Sequence, residues 1–210
     1  MSHDDFKFEP VRGLPEALPA DEYILWQGSP NPWRLAVEAL KLKWIAGYFV
    51  VLAFWRIGVS STEFSLTQSM AHGIPFILAG AVACLVIYGL ATVQAKSAVY
   101  TLTNKRVALR IGAALTMTLN LPYTQIKNAN LDLRQGGTGT VAFELKGETR
   151  FSYLMTWPHV RPWHVSRTQP SLRCIPNAER VAHIFADAAD ARVSQPQLER
   201  IKSSTSVAAE

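Results

Sequence analysis

Hydrophobic and polar residues are segregated along this chain in three different patterns. From Ile74 to Val93 the sequence reads IPFILAGAVACLVIYGLATV, twenty residues without a charge. At 1.5 Å per residue such a helix is about 30 Å long, the thickness of a bilayer's hydrocarbon core. A buried core helix normally carries a polar face or is interrupted within about 10 to 14 residues, so this run predicts a membrane span. A shorter run, WIAGYFVVLAFW from Trp44 to Trp55, lies between Lys43 and Arg56. Extended from Leu40 to Val59 it also reaches spanning length, with Lys43 and Arg56 snorkelling from its two ends and Trp44 and Trp55 at aromatic-belt positions. The rival reading of this first segment is a re-entrant or interfacial helix.

Beyond Lys96 the period shortens from that of a helix to that of a strand. In YTLTNKRVALRIG, Tyr100, Leu102, Val107, Leu109 and Ile111 alternate with polar residues on either side of Thr103-Asn104-Lys105, which predicts a strand, a tight turn and a second strand. Short strands are also expected at Leu115 to Leu121 and Gln125 to Leu133, then at TVAFEL after a loop marked by Gly136, Gly137 and Gly139, and at Arg150 to Leu154. About six strands in so short a stretch must be antiparallel, because parallel crossovers need a dozen or more residues each. Asn177 is placed to cap a following helix, Glu179 suits its first turn, and Val181, Ile184, Phe185 and Ala188 form an apolar stripe at helical spacing. The expected fold is therefore a membrane α-helical hairpin plus an α+β domain in which a single C-terminal helix packs on a small antiparallel sheet.

The remaining segments are polar or proline-broken. Residues 1–39 form a lead-in in which Tyr23 to Trp26 reads as a strand or a surface-packed segment, and WRLAVEALKLK, Trp33 to Lys43, as an amphipathic helix at the interface with Leu35, Ala39 and Leu42 on one face. The hairpin occupies 40–93, with spans at 40–59 and 74–93, the sheet domain 94–192, and a loose tail 193–210. Between sheet and final helix lies TWPHVRPWHVSRTQPSLRCIP, too proline-rich for a helix and too aromatic for a disordered linker. It carries Trp157, His159, Arg161, Trp163, Arg167 and Arg173. Tryptophan and arginine are over-represented at binding hot spots, and prolines reduce the entropy lost on docking, so these six residues are the candidate partner-binding set. The competing reading has the tryptophans simply cover the open end of the sheet.

Charge sets the orientation. The connection from Ser60 to Gly73 contains no Lys or Arg, whereas Arg34, Lys41 and Lys43 precede the first span and Lys96, Lys105 and Arg106 follow the second, so both termini are expected in the cytoplasm. No apolar signal-peptide core occurs in the first forty residues, so the spans themselves are expected to direct insertion. From Gln94 onward 15 Lys and Arg face 8 Asp and Glu, a surplus of seven that suits an anionic membrane surface or an acidic partner. No nucleic-acid reader motif is present, so no nucleic-acid partner is expected. Gly80 with Cys84, and Ala79 with Ala83, give small-xxx-small spacings that admit a close helix neighbour, including a second copy of the chain.

Catalytic and cofactor chemistry find little support. Arg134 to Thr140, RQGGTGT, lacks the Gly-Lys-Ser/Thr ending of a phosphate cradle. His159 and His164 sit in a proline-broken segment with no nearby Cys or carboxylate, and His72 reads as a helix-end residue at the water boundary. Cys84 and Cys174 lie in different environments, so no disulfide is expected. No nucleophile motif occurs, and the expectation is a non-enzymatic protein without metal or cofactor.

The order of elements, an ILWQGSP segment, two spans, YTLTNKRVALRIG, a strand Ile126 to Leu131, a Gly-rich turn and a terminal helix, resembles the bacterial membrane-anchored pleckstrin-homology-like (PH-like) domain family, which implies an antiparallel β-sandwich or barrel with a C-terminal helix. The lead-in RGLPEALPADEYILWQGSP and the insert TWPHVRPWHVSRTQPSLRCIP more narrowly resemble the photosynthetic complex assembly proteins of purple bacteria, the PuhB type. That resemblance implies a non-enzymatic assembly factor in the bacterial inner, intracytoplasmic photosynthetic membrane. Its implied partners are the reaction centre and light-harvesting 1 subunits, together with membrane lipids. A general anionic-lipid-binding or scaffolding module unrelated to photosynthesis is the alternative reading.

Overall fold

The computed structural model describes residues 11–113, 115–134, 136–147 and 151–194. The chain begins with strand β1 (Ile24–Gly28) and a short helix α1 (Pro32–Glu38), then two long helices, α2 (Leu42–Ser60) and α3 (Leu66–Ser97). Strands β2 (Val99–Thr103), β3 (Arg106–Ile111), β4 (Met117–Pro122), β5 (Ile126–Leu133) and β6 (Gly139–Leu145) follow. A one-turn helix α4 (Tyr153–Thr156), strand β7 (Ser171–Ile175) and helix α5 (Ala178–Val193) complete the order.

Two antiparallel sheets result, one in the order β1-β2-β3-β4 and one in the order β5-β6-β7. The predicted β2–β3 hairpin is present, with Tyr100 opposite Leu109 and Leu102 opposite Val107. Because side chains alternate across a strand, Tyr100, Leu102, Val107, Leu109, Leu119 and Leu121 all face one interior. Val141, Phe143, Leu172 and Ile175 from the second sheet meet them, and α5 closes the open side with Val181, Phe185 and Ala188. Phe185 sits between Tyr123 and Phe143, with ring centroids 5.4 and 5.0 Å away. Three of the four residues of the amphipathic stripe read from the sequence are thus the buried face of the final helix, while Ile184 is only partly buried at its edge.

Four local expectations change. The lead-in is not separate from the sheet domain, because β1 pairs with β2 from Ile24–Thr103 to Gly28–Tyr100 and forms an edge of the first sheet. The apolar hairpin is consequently an insertion between two adjacent strands of one sheet. The strand expected at Arg150 to Leu154 is absent over its described part: Phe151 and Ser152 are irregular and Tyr153–Thr156 is helical, with Thr156 Oγ1 donating to the Ser152 carbonyl at 2.8 Å. A seventh strand, β7, lies inside the segment read as irregular. Asn177 precedes α5 but its side chain makes no capping bond; its φ of 51° instead turns the chain from β7 into the helix. Lys7, Pro10, Glu148 and the tail from Gln195 onward lie outside the described residues.

Helices α2 and α3 are long and apolar enough to cross a membrane. They pack antiparallel: Ser60 Oγ lies 3.0 Å from His72 Nδ1 at one end, and Leu42 clusters with Ala91 at the other. Residues buried on α3 are small, Ser69, Gly73, Gly80, Ala91 and Ala95. A Cβ on Gly80 would sit 2.7 Å from the Phe49 Cβ, so the small residue of the predicted close-contact motif is used within the chain. The outer faces remain apolar and exposed, including Val51, Phe54, Ile77, Leu78, Val82 and Leu85. Helix α3 also begins eight residues before its uncharged run, because the Gln68 side chain accepts the Ser65 amide at 3.3 Å and starts the helix there. The connection between the helices shrinks to Ser61–Ser65.

The amphipathic helix expected from Trp33 to Lys43 breaks at Lys41, whose φ is 58°. Its first half, α1, buries Leu35 and Ala36 against the base of the hairpin, and Trp33 meets Tyr88 edge-on at 6.1 Å. The second sheet docks on the same helix. The Asn31 amide donates to the Cys174 carbonyl at 2.8 Å, Arg134 lies 4.0 Å from the Glu38 carboxylate, and Leu35, Ala95 and Cys174 form one buried cluster. Helix α1 therefore ties the sheet domain to the hairpin.

Candidate functional site

The insert between β6 and β7 is held by one buried polar lock. Tyr100 projects from β2 into the space between the sheets, and its hydroxyl lies 2.5 Å from His159 Nδ1. The Arg173 amide donates to the same oxygen at 3.3 Å. A phenol oxygen that already accepts the Arg173 N–H satisfies its own proton best by donating it to Nδ1, which leaves His159 neutral with its proton on Nε2. Burial and the neighbouring Arg173 charge hold the His159 pKa down to about 3, and burial pushes the Tyr100 hydroxyl up. The Arg173 guanidinium in turn donates to the carbonyls of Pro158 and Val160 at 3.3 and 2.9 Å. Backbone pairing finishes the anchorage: Ser171 N–H to His159 O at 2.9 Å, Arg161 N–H to Gln169 O at 3.0 Å, and a bridge between Val160 and Pro170.

The six candidate residues therefore divide. His159 and Arg173 are 2% and 6% exposed and act as internal supports, so they are withdrawn from the partner-binding set. A buried arginine whose donors meet carbonyls keeps its charge but has no free donor or exposed face to present to a partner. Trp157 is 38% exposed and Trp163 90% exposed, with Trp163 on a left-handed backbone at φ 66°. Arg161 is half-buried and donates to Gln169 Oε1 at 3.1 Å, while Arg167 is exposed. Glu144 of β6 lies within electrostatic reach of both arginines; its hydrogen bond and charge pairing with Lys127 hold its pKa below the usual carboxylate value, and the arginines add to that effect.

The structure adds residues that the sequence reading did not select. Leu154 is 84% exposed, and Met155 and Val165 are also exposed. Leu154 had been placed in a strand, where one face would be buried; a single helical turn leaves it in solvent. Ser152 ahead of the turn and Pro158 after it were the available signals for that turn. The insert thus presents apolar side chains from α4 and from the tip around Trp163, with Arg161 and Arg167 beside them. No Asp or Glu occurs from Phe151 to Asn177. Such a surface suits an apolar partner of negative or neutral charge.

The other elements singled out in the sequence have structural employment. Gly136 approaches Arg34, and the Gly137 carbonyl accepts the Ala178 amide at 3.2 Å, so the glycine-rich turn joins α1 to the start of α5. His164 Nδ1 lies 2.9 Å from the Pro162 carbonyl, away from His159. Burial and the nearby Glu38 carboxylate push the Cys174 thiol up to about 12, which makes it a poor nucleophile.

Two antiparallel sheets of four and three strands closed by a C-terminal helix define a PH-like domain. The family model described as bacterial PH domain matches residues 42–189, and the chain belongs to that family. A curated relative from Rhodobacter capsulatus, a 23.7 kDa protein in the puhA 5′ region, is 42% identical over 200 residues, covering 94% of both chains. Among solved structures, a DUF1696-family protein with a pleckstrin-homology domain from Shewanella loihica PV-4 is 12% identical and matches 44% of this chain and 71% of that one, with a TM-score of 0.30.

Proposed function

We propose that this chain is a membrane-anchored, non-enzymatic assembly factor for photosynthetic complexes, with α2 and α3 as its spans and the PH-like domain in the cytoplasm. The observation that carries this reading is the full-length relative in the puhA 5′ region, because puhA is a photosynthesis gene. The hairpin supports the membrane half of the proposal. Between its ends the outer surface is largely apolar, with Val51, Phe54, Ile77, Leu78, Val82, Leu85 and Val86 exposed, and water strongly disfavours so large an exposed apolar surface. Lys41, Lys43 and Lys96 flank the end from which the sheet domain extends, whereas Ser61–Ser65 at the other end has only Glu63.

In this reading the spans hold a newly inserted subunit laterally while the β6–β7 insert engages a cytoplasmic face of a reaction-centre or light-harvesting 1 subunit. Trp157, Arg161, Trp163 and Arg167 supply the contact, and Tyr100, His159 and Arg173 hold the insert in shape. Replacing Trp157, Arg161 and Trp163 together with alanine is expected to reduce co-purification with photosynthetic complexes several-fold and to leave membrane insertion unchanged. Unaltered co-purification removes the insert from the partner surface. If the unmodified chain fails to recover such complexes from native membranes, the assembly reading itself fails.

The positive surplus after Gln94 favours one second reading, a general module for anionic lipid. It predicts that the protein recovers acidic lipid in a salt-sensitive manner without photosynthetic partners.

A further inference from the structure

The turn between β3 and β4 is uncharged, Gly-Ala-Ala-Leu-Thr from Gly112 to Thr116, and it projects Leu115 at 87% exposure. Its shape is built in. Gly112 has φ 101°, and a Cβ there would collide with the Leu115 carbonyl, so the backbone returns on itself through a residue that only glycine fits. The position of the turn is equally defined. Helix α3 ends at Ser97 and β2 begins at Val99, opposite Arg110 of β3; Ile111 is opposite Met117, and the chain between them turns back past the start of β2. Contact between α3 and β3 keeps this end of the sheet beside the helix.

We propose that the β3–β4 turn is a second membrane contact, in which Leu115 enters the lipid headgroup and upper acyl zone of the bilayer crossed by α2 and α3. The inference rests on the membrane-spanning reading of those helices. Val93, the last residue of the apolar run, lies four residues, or about 6 Å of helix, before the end of α3 at Ser97, and β2 begins at Val99. On β3 the chain comes back past that point: Arg110 is opposite Val99, β3 ends at the next residue, Ile111, and the turn from Gly112 to Thr116 extends beyond it. Where strand and helix follow one direction, the turn therefore points back along the last turns of α3, toward the level of Val93. The aromatic pair Trp33 and Tyr88 and the exposed Trp44 lie at the end of the hairpin from which the sheet domain extends, where an interfacial belt would sit. Lipid is the occupant these observations favour, because the turn is uncharged, presents an exposed leucine and lies at the end of the sheet where α3 leads into β2. A single leucine suffices because the helices already bear the entropic cost of bringing the domain to the surface.

The full chain, carrying Cys84→Ala and one added cysteine at Leu115, Val82 or Gln125, is labelled with an environment-sensitive fluorophore and reconstituted into vesicles. Quenching by nitroxide-bearing lipids is then compared with quenching by aqueous iodide. Val82 reports α3, and Gln125 reports the opposite end of the sheet. The proposal predicts that position 115 follows Val82, with lipid quenching and iodide quenching severalfold below that at Gln125. Iodide quenching equal to that at Gln125, with Val82 still lipid-quenched, overturns the turn insertion and leaves the spans intact. Protection from both quenchers identifies a protein cover and also overturns it. Iodide access at Val82 removes the spans and the proposal together.

Discussion

Replacing Tyr100 with phenylalanine deletes one oxygen atom from the core and tests the lock beneath the insert. That oxygen accepts the Arg173 amide at 3.3 Å and shares a proton with His159 Nδ1 at 2.5 Å, so Tyr100→Phe leaves two buried polar groups without their partner. A buried orphan costs about 1–3 kcal/mol, and the longer Arg173 contact contributes the smaller share, giving an expected loss of about 2–4 kcal/mol. The same site carries a pH signature. His159 has a folded-state pKa held down to about 3, below the ordinary histidine value of about 6.5. Its contribution is therefore complete above pH about 6.5 and is lost as pH falls toward the folded value, by up to about 1.4 kcal/mol per pH unit. At pH 4.5 that is about 2–3 kcal/mol. Denaturant unfolding of the full chain in detergent, followed by near-ultraviolet circular dichroism between pH 7.5 and 4.5, reads both effects. His159→Phe is expected to be less stable at neutral pH and to lose less stability on acidification than the parent. A Tyr100→Phe variant within about 0.5 kcal/mol of the parent, or a His159→Phe variant with the parent's acid slope, refutes the lock.

Two further substitutions probe the frame that carries the insert. Gly80→Leu drives a side chain into Phe49 and is expected to cost about 1–3 kcal/mol and to widen the α2–α3 separation, measurable as a spin-label distance between the helices. Glu22→Ala removes the acceptor of the Thr103 hydroxyl and the Arg106 Nε–H, both at 2.8 Å. With Arg106 still partly solvated, the expected loss is about 1–3 kcal/mol in the same denaturant titration, and no change would remove this pair from the account of the β1–β2 edge.

The legible parts of this fold are those whose burial follows a strict period. Tyr100 to Ile111 alternates because one face of two paired strands fills the core, and Val181, Phe185 and Ala188 recur at helical spacing because α5 covers that core. Helix α3 was legible from the length of its uncharged run, and α2 only once its shorter run was extended past Lys43 and Arg56. Elements decided by distant partners were not. Strand β1 depends on pairing with β2 across the whole hairpin insertion, and no local period announces that. Strand β7 was hidden because Arg173, in its middle, reads as a surface residue; only the carbonyls of Pro158 and Val160 make its burial possible. The same fact divides the candidate site. Of the candidate partner-binding residues, Trp163 and Arg167 are exposed, whereas His159 is a buried acceptor in the fold, which its place in the sequence does not announce.

The chain's place between hairpin and sheet also explains why α1 matters. It is a short helix, yet it receives the end of β7, the glycine-rich β5–β6 turn and the base of α3. The hairpin, the second sheet and, through Arg173, the β6–β7 insert are therefore joined by one continuous set of packing and hydrogen-bond contacts.

Deleting the gene in its native host and recording the absorption of isolated membranes tests the central proposal most directly. The account predicts that reaction-centre and light-harvesting 1 bands fall per milligram of membrane protein while their transcripts are unchanged, and that the intact chain restores them. Bands equal to those of the parent strain would contradict it.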